Sequence, residues 1–280
     1  MTTSEAPGTL AAPPRRSFLL RIVPSTLWTA RRPQRMVERS VMFYRHAWMI
    51  LVSGFFEPLL YLLSVEVGFA TLVGDITVDG QSYGYAQFVA PGLLAASAMN
   101  GAIFDATGNV FEKIKHSRLY DTVLATPMSA SDVALGEILG AVTRGVLYSC
   151  AFVVTMWAMG LVGSPLIVLA IPVCALIGFA FASIGMAFTT YMRTWSDLEY
   201  VNAVTLPLLL FSATFYPISS YGSWSWLVQL SPLYHGVVVV RGCNLGQLEW
   251  SMLGNLAVLV AVAAVGLTIT ARRIEGLLLR

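Results

Sequence analysis

Six stretches of this chain, at about residues 46–69, 87–110, 142–162, 165–190, 201–217 and 253–271, are apolar over nearly the length a helix needs to cross a bilayer. No other feature narrows the fold so far. A segment surrounded by hydrocarbon must satisfy its own backbone N–H and C=O groups, and a helix does so within one segment. The rest of the chain cannot enclose these runs in a polar shell. Charged residues make up 11% and hydrophobic residues 56%, whereas a soluble domain carries about a quarter charged residues. The expectation is an all-α membrane protein with six transmembrane helices, forming one domain over 46–271 without internal repeats.

The positive charges orient this domain. Arg15, Arg16, Arg21, Arg31, Arg32, Arg35, Arg39 and Arg45 precede the first run; Lys113, Lys115 and Arg118 follow the second; Arg193 follows the fourth; and Arg272, Arg273 and Arg280 follow the sixth. The alternate connections near 70–86 and 162–165 have no Lys or Arg, and 218–252 has only Arg241. Basic connections remain in the cytoplasm, so both termini and the tail 272–280 are expected there. The arginines before residue 40 leave no apolar core for a signal peptide. Residues 1–24, Pro-rich at their start, read as a disordered cytoplasmic tail. In 25–45, Arg31, Arg35 and Arg39 recur every fourth residue among Leu27, Trp28, Met36, Val37 and Phe43. That pattern fits an amphipathic interfacial helix with arginines toward lipid phosphates better than a plain basic flank.

Residues 218–240 are apolar but divided. Pro217 precedes them and Pro232 cuts them, so neither piece is long enough to cross. Short re-entrant helices at the outer leaflet are expected, with Tyr216, Tyr221, Trp224, Trp226 and Tyr234 at headgroup level. Charges inside the apolar runs are costly. Glu57, beside Pro58, together with Glu66, Asp105 and Arg144, could line a polar path, form an interhelical pair or snorkel. Asp105 and Asn109 share a helical face.

Two signatures bear on enzymatic function. Gly80-Gln81-Ser82-Tyr83-Gly84 matches the serine-hydrolase GxSxG pattern, but it falls at the Asp79-Gly80 turn of a short polar loop and reads as that loop. The P-loop pattern GxxxxGK[ST] is missing; the two lysines, Lys113 and Lys115, follow no glycine. The chain is therefore not expected to hydrolyse ATP, and any ATPase must be a partner. Cys150, Cys174 and Cys243, with His46, His116 and His235, are scattered and suggest no disulfide framework or metal site.

The connection 111–141 has helical patterning. Phe111, Ile114, Leu119 and Val123 alternate with charges as an apolar stripe, Pro127 breaks it, and Ser129 and Asp132 provide a cap before the third run. A solvated loop needs no such stripe; a stripe with nothing to cover calls for a partner.

Arg118-Leu119-Tyr120-Asp121-Thr122-Val123-Leu124-Ala125-Thr126-Pro127 followed by Gly136-Glu137-Ile138-Leu139 resembles the signature region of ABC-2 type exporter permeases. Phe215-Tyr216-Pro217-Ile218, Ser231-Pro232-Leu233-Tyr234-His235-Gly236 and Val240-Arg241-Gly242 resemble that family's segment before its last span. The resemblance covers about 25–275 and is nearest to exporters of nodulation lipo-oligosaccharides, then of O-antigen and daunorubicin. It implies a pair of permease chains, homomeric or mixed, above two ABC ATPase subunits that bind MgATP, in a bacterial cell membrane. Residues 111–127 would be the coupling helix, with Glu112, Lys113, Lys115, Arg118, Leu119, Tyr120 and Asp121 at the contact and Arg193 in a second, smaller one. Tyr216, Pro217, Trp224, Trp226, Pro232, Tyr234 and His235 would form the external gate. Glu66 stands where the family has small residues. A proton-coupled transporter using Glu57 and Asp105 is the alternative. A membrane transferase would need a cluster of acids, histidines or metal ligands that the chain does not display. Nothing points to nucleic acid.

Overall fold

A computed structural model of the chain describes residue 56 and residues 59–78, 80–115 and 130–278. The tail 1–24, the amphipathic segment 25–45 and half of the first apolar run lie outside the described residues.

Helix α1 (Leu59–Phe69) ends in a π-turn at Val65–Phe69. It leads into an antiparallel hairpin, β1 (Asp75–Val78) and β2 (Gln81–Gly84), with Thr77 opposite Ser82. This hairpin departs from the all-α expectation. Its cause is local: Gly80 takes the left-handed conformation (φ +79°) that a tight turn requires, and Ile76, Thr77, Val78 and Tyr83 favour strands.

Helix α2 runs from Tyr85 to Lys115, with a π-turn at Asp105–Asn109. Its 31 residues rise about 46 Å, well beyond the hydrocarbon thickness. Helix α3 is Ala130–Ala158; α4 is Ala170–Thr189, entered through a 3₁₀ turn at Pro165–Leu169 whose Ser164 side chain caps Leu166 N–H. Helix α8 is Met252–Leu278. Among the described residues these four, α2, α3, α4 and α8, are long and apolar enough to cross a membrane. Helix α8 continues past the apolar run, through Arg272 and Arg273, to Leu278. Nothing in its last turns breaks a helix, and the Arg273 guanidinium lies 4.0 Å over the Tyr191 ring.

The fifth expected crossing takes another form. Helix α5 (Leu198–Leu210) has 13 residues, about 20 Å, and the chain then leaves helical geometry. Ala213 adopts a left-handed φ of +54° and is the one non-glycine among the described residues to do so. From Pro217 the chain forms a 3₁₀ segment, Ile218–Trp224, then the short α6 (Ser225–Gln229) and α7 (Pro232–Leu245). The Ser212 and Ser231 hydroxyls meet at 2.6 Å, so the chain returns to its own level before α7 begins. Short interrupted helices around Pro217 and Pro232 are as the sequence indicated.

Helix α4 is the hub and packs on α2, α3, α7 and α8. Small residues allow these approaches. A Cβ on Gly145 of α3 would lie 3.2 Å from Ala98 O of α2, and one on Gly266 of α8 would lie 2.8 Å from the α4 backbone at Ser183 and Ile184. Threonine hydroxyls tie the same seams: Thr189 donates to Ala106 O at 3.0 Å and Thr270 to Ser183 O at 3.1 Å. Trp157, Trp224 and Trp250 are more than half exposed, as are Leu72 and Val168. An apolar exterior of this kind is suited to lipid.

Candidate functional site

The bundle has two chemically distinct ends, joined by a buried ion pair. At the basic end, the last turns of α2, Val110–Lys115, bury Val110 and Phe111 and expose Glu112 and Lys115. Lys113 Nζ reaches Glu137 Oε2 of α3 at 2.6 Å, and Glu137 is buried. Phe111 is buried and meets the half-exposed Trp195 edge to face, with centroids 5.2 Å apart. Trp195 belongs to the 3₁₀ turn before α5, so this contact ties the last turns of α2 to the connection after α4.

Asp197 holds that second connection. Its carboxylate accepts from the Arg193 and Thr194 N–H groups at 2.7 and 3.1 Å and from Thr194 Oγ1 at 3.2 Å, and the Thr194 side chain completes a capping box. The two backbone donors hold the Asp197 carboxyl below its usual pKa. Glu112, Lys115 and Arg193 are exposed beside this joint. Arg118, Leu119, Tyr120, Asp121 and Pro127 lie outside the described residues.

In the core, Arg144 Nη1 of α3 pairs with Asp105 Oδ1 of α2 at 2.8 Å, and its Nε donates to Tyr148 Oη at 2.8 Å. Asn109 also donates to Asp105. Both charged residues are buried. Of the roles open to them from sequence, the interhelical pair is the one adopted, and the π-turn at Asp105–Asn109 carries the carboxylate. Glu66 is half-buried within α1. Glu57 is outside the described residues.

The opposite end carries the β-hairpin and the α5–α7 excursion. Tyr216, Trp224 and Trp226 are exposed, Pro217 precedes the 3₁₀ segment, and Pro232 occupies the first turn of α7. Tyr234 and His235 rings are T-shaped at 5.4 Å. His235 bridges elements: Nε2 donates to Gln229 O of α6 at 2.9 Å, and Nδ1 lies 2.7 Å from Asn255 Oδ1 of α8. Ser82 sits within β2 and donates to Asp75 at 3.4 Å. It is a strand residue facing its hairpin partner, which agrees with the loop reading of GxSxG rather than with an exposed nucleophile on a strand-to-helix turn.

Asn244 at this end was not singled out from sequence, and Arg241 was noted there only as the lone basic residue of 218–252 and as part of a family motif. Pro91 within α2 has no N–H for the Gln87 carbonyl. Asn244, fully buried on α7, donates to Gln87 O at 3.4 Å and Leu161 O at 3.2 Å. Arg241 donates from Nε to Phe88 O at 3.1 Å and from Nη2 to Ala213 O and Thr214 O at 2.8 and 3.3 Å. Both satisfy carbonyls that broken helical geometry releases. The usable signal was a polar side chain in an apolar stretch close to a proline or a non-helical break.

Residues 34–245 match the family described as ABC-2 type transporter. The chain is 31% identical over 198 residues to nodulation protein J of Rhizobium leguminosarum bv. trifolii, covering 70% of this chain and 74% of that protein. It is 30% identical over 207 residues to nodulation protein J of Sinorhizobium fredii (strain NBRC 101917 / NGR234), covering 73% and 78%. It is 24% identical over 228 residues to the inner membrane transport permease YadH of Escherichia coli (strain K12), covering 77% and 85%.

Proposed function

The chain belongs to the ABC-2 type transporter family, and from that premise we propose that it is the permease subunit of an ATP-driven exporter of a bulky amphiphile. The cargo class is a glycolipid, lipo-oligosaccharide or hydrophobic drug, in keeping with the relatives named nodulation protein J. The protein resides in a bacterial cell membrane with its basic end and both termini in the cytoplasm. It works as one of a pair of permease chains, and separate ABC ATPase subunits bind and hydrolyse MgATP.

The observation that carries this reading is the Phe111–Trp195 joint at the basic end. The start of the segment that resemblance assigns to ATPase contact meets the second such connection there. Force applied to that surface passes through Lys113–Glu137 into α3 and along the continuous α2 toward the excursion at the far end. The 111–127 segment serves as the coupling helix, with Glu112 and Lys115 beside its start and Arg193 as the second contact. The gate is the α5–α7 excursion with Tyr216, Trp224, Trp226, Tyr234 and His235. Proton coupling is less favoured because Asp105 is already engaged by Arg144 and Asn109.

The test is co-purification of this chain with a candidate ATPase expressed beside it. The ATPase is expected to be retained by the unaltered chain and lost with Lys115→Glu/Arg193→Glu, two exposed positions away from the core. A chain that transports in the absence of any ATPase would overturn the proposal.

A further inference from the structure

Arg241 has more donors than the protein uses. A guanidinium has five N–H groups; Nε supplies one to Phe88 O and Nη2 serves Ala213 O and Thr214 O. Among the described residues none accepts from Nη1. The guanidinium is also clamped, with its central carbon 3.8 Å over the Phe88 ring. It is held as a fixed plate with one nitrogen, Nη1, left over.

Its charge is not balanced by what holds it. Arginine remains protonated, and carbonyl dipoles orient it without neutralising it. No carboxylate among the described residues forms an ion pair with it. Glu249 is nearest in role, since it borders the same cavity, yet it accepts from Ser251 Oγ at 3.1 Å. An uncompensated cation amid apolar helices is costly, so its natural complement is an anion supplied from outside the chain.

A cavity to receive that anion is present. Arg241 lines a space of about 390 Å³ with Ser219, Tyr234 and Gln247 as polar neighbours and Phe88 and Met252 as apolar wall. We propose that this cavity binds a phosphate-type oxyanion, with Nη1 donating to it and the apolar wall receiving the adjoining hydrocarbon of an amphiphile. A charge-assisted bond from the remaining arginine nitrogen suits a phosphate oxygen. Binding requires no ATPase and does not depend on the transport reading.

The experiment titrates the purified full-length chain with phosphatidylglycerol and, separately, with a diacylglycerol of the same acyl chains, which has no phosphate, counting retained lipid by native mass spectrometry. The basic end also attracts anionic lipid, so the quantity read is the difference between the unaltered chain and Arg241→Gln. That substitution is expected to weaken phosphatidylglycerol by about tenfold or more, the size of one charge-assisted bond, and to leave diacylglycerol unchanged. Glu249→Gln, at an exposed position, is expected to tighten phosphatidylglycerol by removing a repelling charge. It also tests the site if Arg241→Gln does not fold. If Glu249→Gln left the anionic lipid unchanged or loosened it, the lipid would not sit in this cavity and the proposal would fail. Equal retention of phosphatidylglycerol by the unaltered chain and Arg241→Gln would sink it as well. Competition by glycerol 3-phosphate identifies the source within a positive result: displacement means that phosphate alone is recognised, and persistence means that the lipid chains are needed too.

Discussion

Removing either member of the Asp105–Arg144 pair leaves a charge in the core with one fewer partner. Arg144→Met alone is therefore expected to destabilise the protein by about 3–5 kcal/mol, whereas Asp105→Leu with Arg144→Met recovers most of that loss. Thermal unfolding of the three variants in one detergent checks this, and equal losses from the single and double changes would contradict it. Ala213 presents the opposite case. Its left-handed backbone opposes an L side chain, so Ala213→Gly should gain up to about 1 kcal/mol by the same assay. Asp197 gives a pH signature. Its carboxyl is depressed by the Arg193 and Thr194 N–H groups, so its stabilisation is complete above the usual aspartate pKa and disappears as pH falls through the lower folded value. The melting-temperature difference between the unaltered chain and Asp197→Asn should then be present at neutral pH and vanish in acid.

At the scale of elements, the helices meet through small residues and exchange hydrogen bonds where prolines interrupt them. Gly266→Val would force α8 off the α4 backbone, because the atoms 2.8 Å from its new Cβ are main chain and cannot swing aside. The expected cost is about 1–3 kcal/mol; an unchanged melting temperature would show that the seam is looser than these distances. Asn244→Leu should cost a similar amount by stripping donors from Gln87 O and Leu161 O. The interrupted elements were partly readable beforehand. Pro217 and Pro232 marked the breaks, and their geometry is local. The shortening of α5 was not, because residues 201–217 remain apolar throughout while the chain leaves helical geometry at Phe211. Composition reports affinity for lipid, not whether the backbone stays helical. The hairpin was hidden for a related reason, since the ten residues Asp75–Gly84, short and mostly polar or small between long apolar runs, read as a loop until Gly80 and the strand register are seen.

For the molecule as a whole, the proposed transmission path predicts that Phe111→Ser weakens ATPase stimulation by cargo while leaving ATPase subunits bound, because it loosens the Phe111–Trp195 joint without altering the exposed charges. Loss of binding instead would make Phe111 part of the docking surface. Membrane class was legible from the primary structure, because the length of an apolar run and the scarcity of charge are sums along the chain that no packing can reverse. Family was legible too, from two separated motifs, and the match over residues 34–245 agrees. Which charges meet was another matter. Asp105 and Arg144 stand 39 positions apart, Phe111 and Trp195 further still, and Arg241 finds its acceptors on α2 and at the break after α5. Such partnerships depend on how helices stack and where their geometry fails, and those choices are made by close approach at residues such as Gly145 and Gly266. They exist only once the bundle has closed.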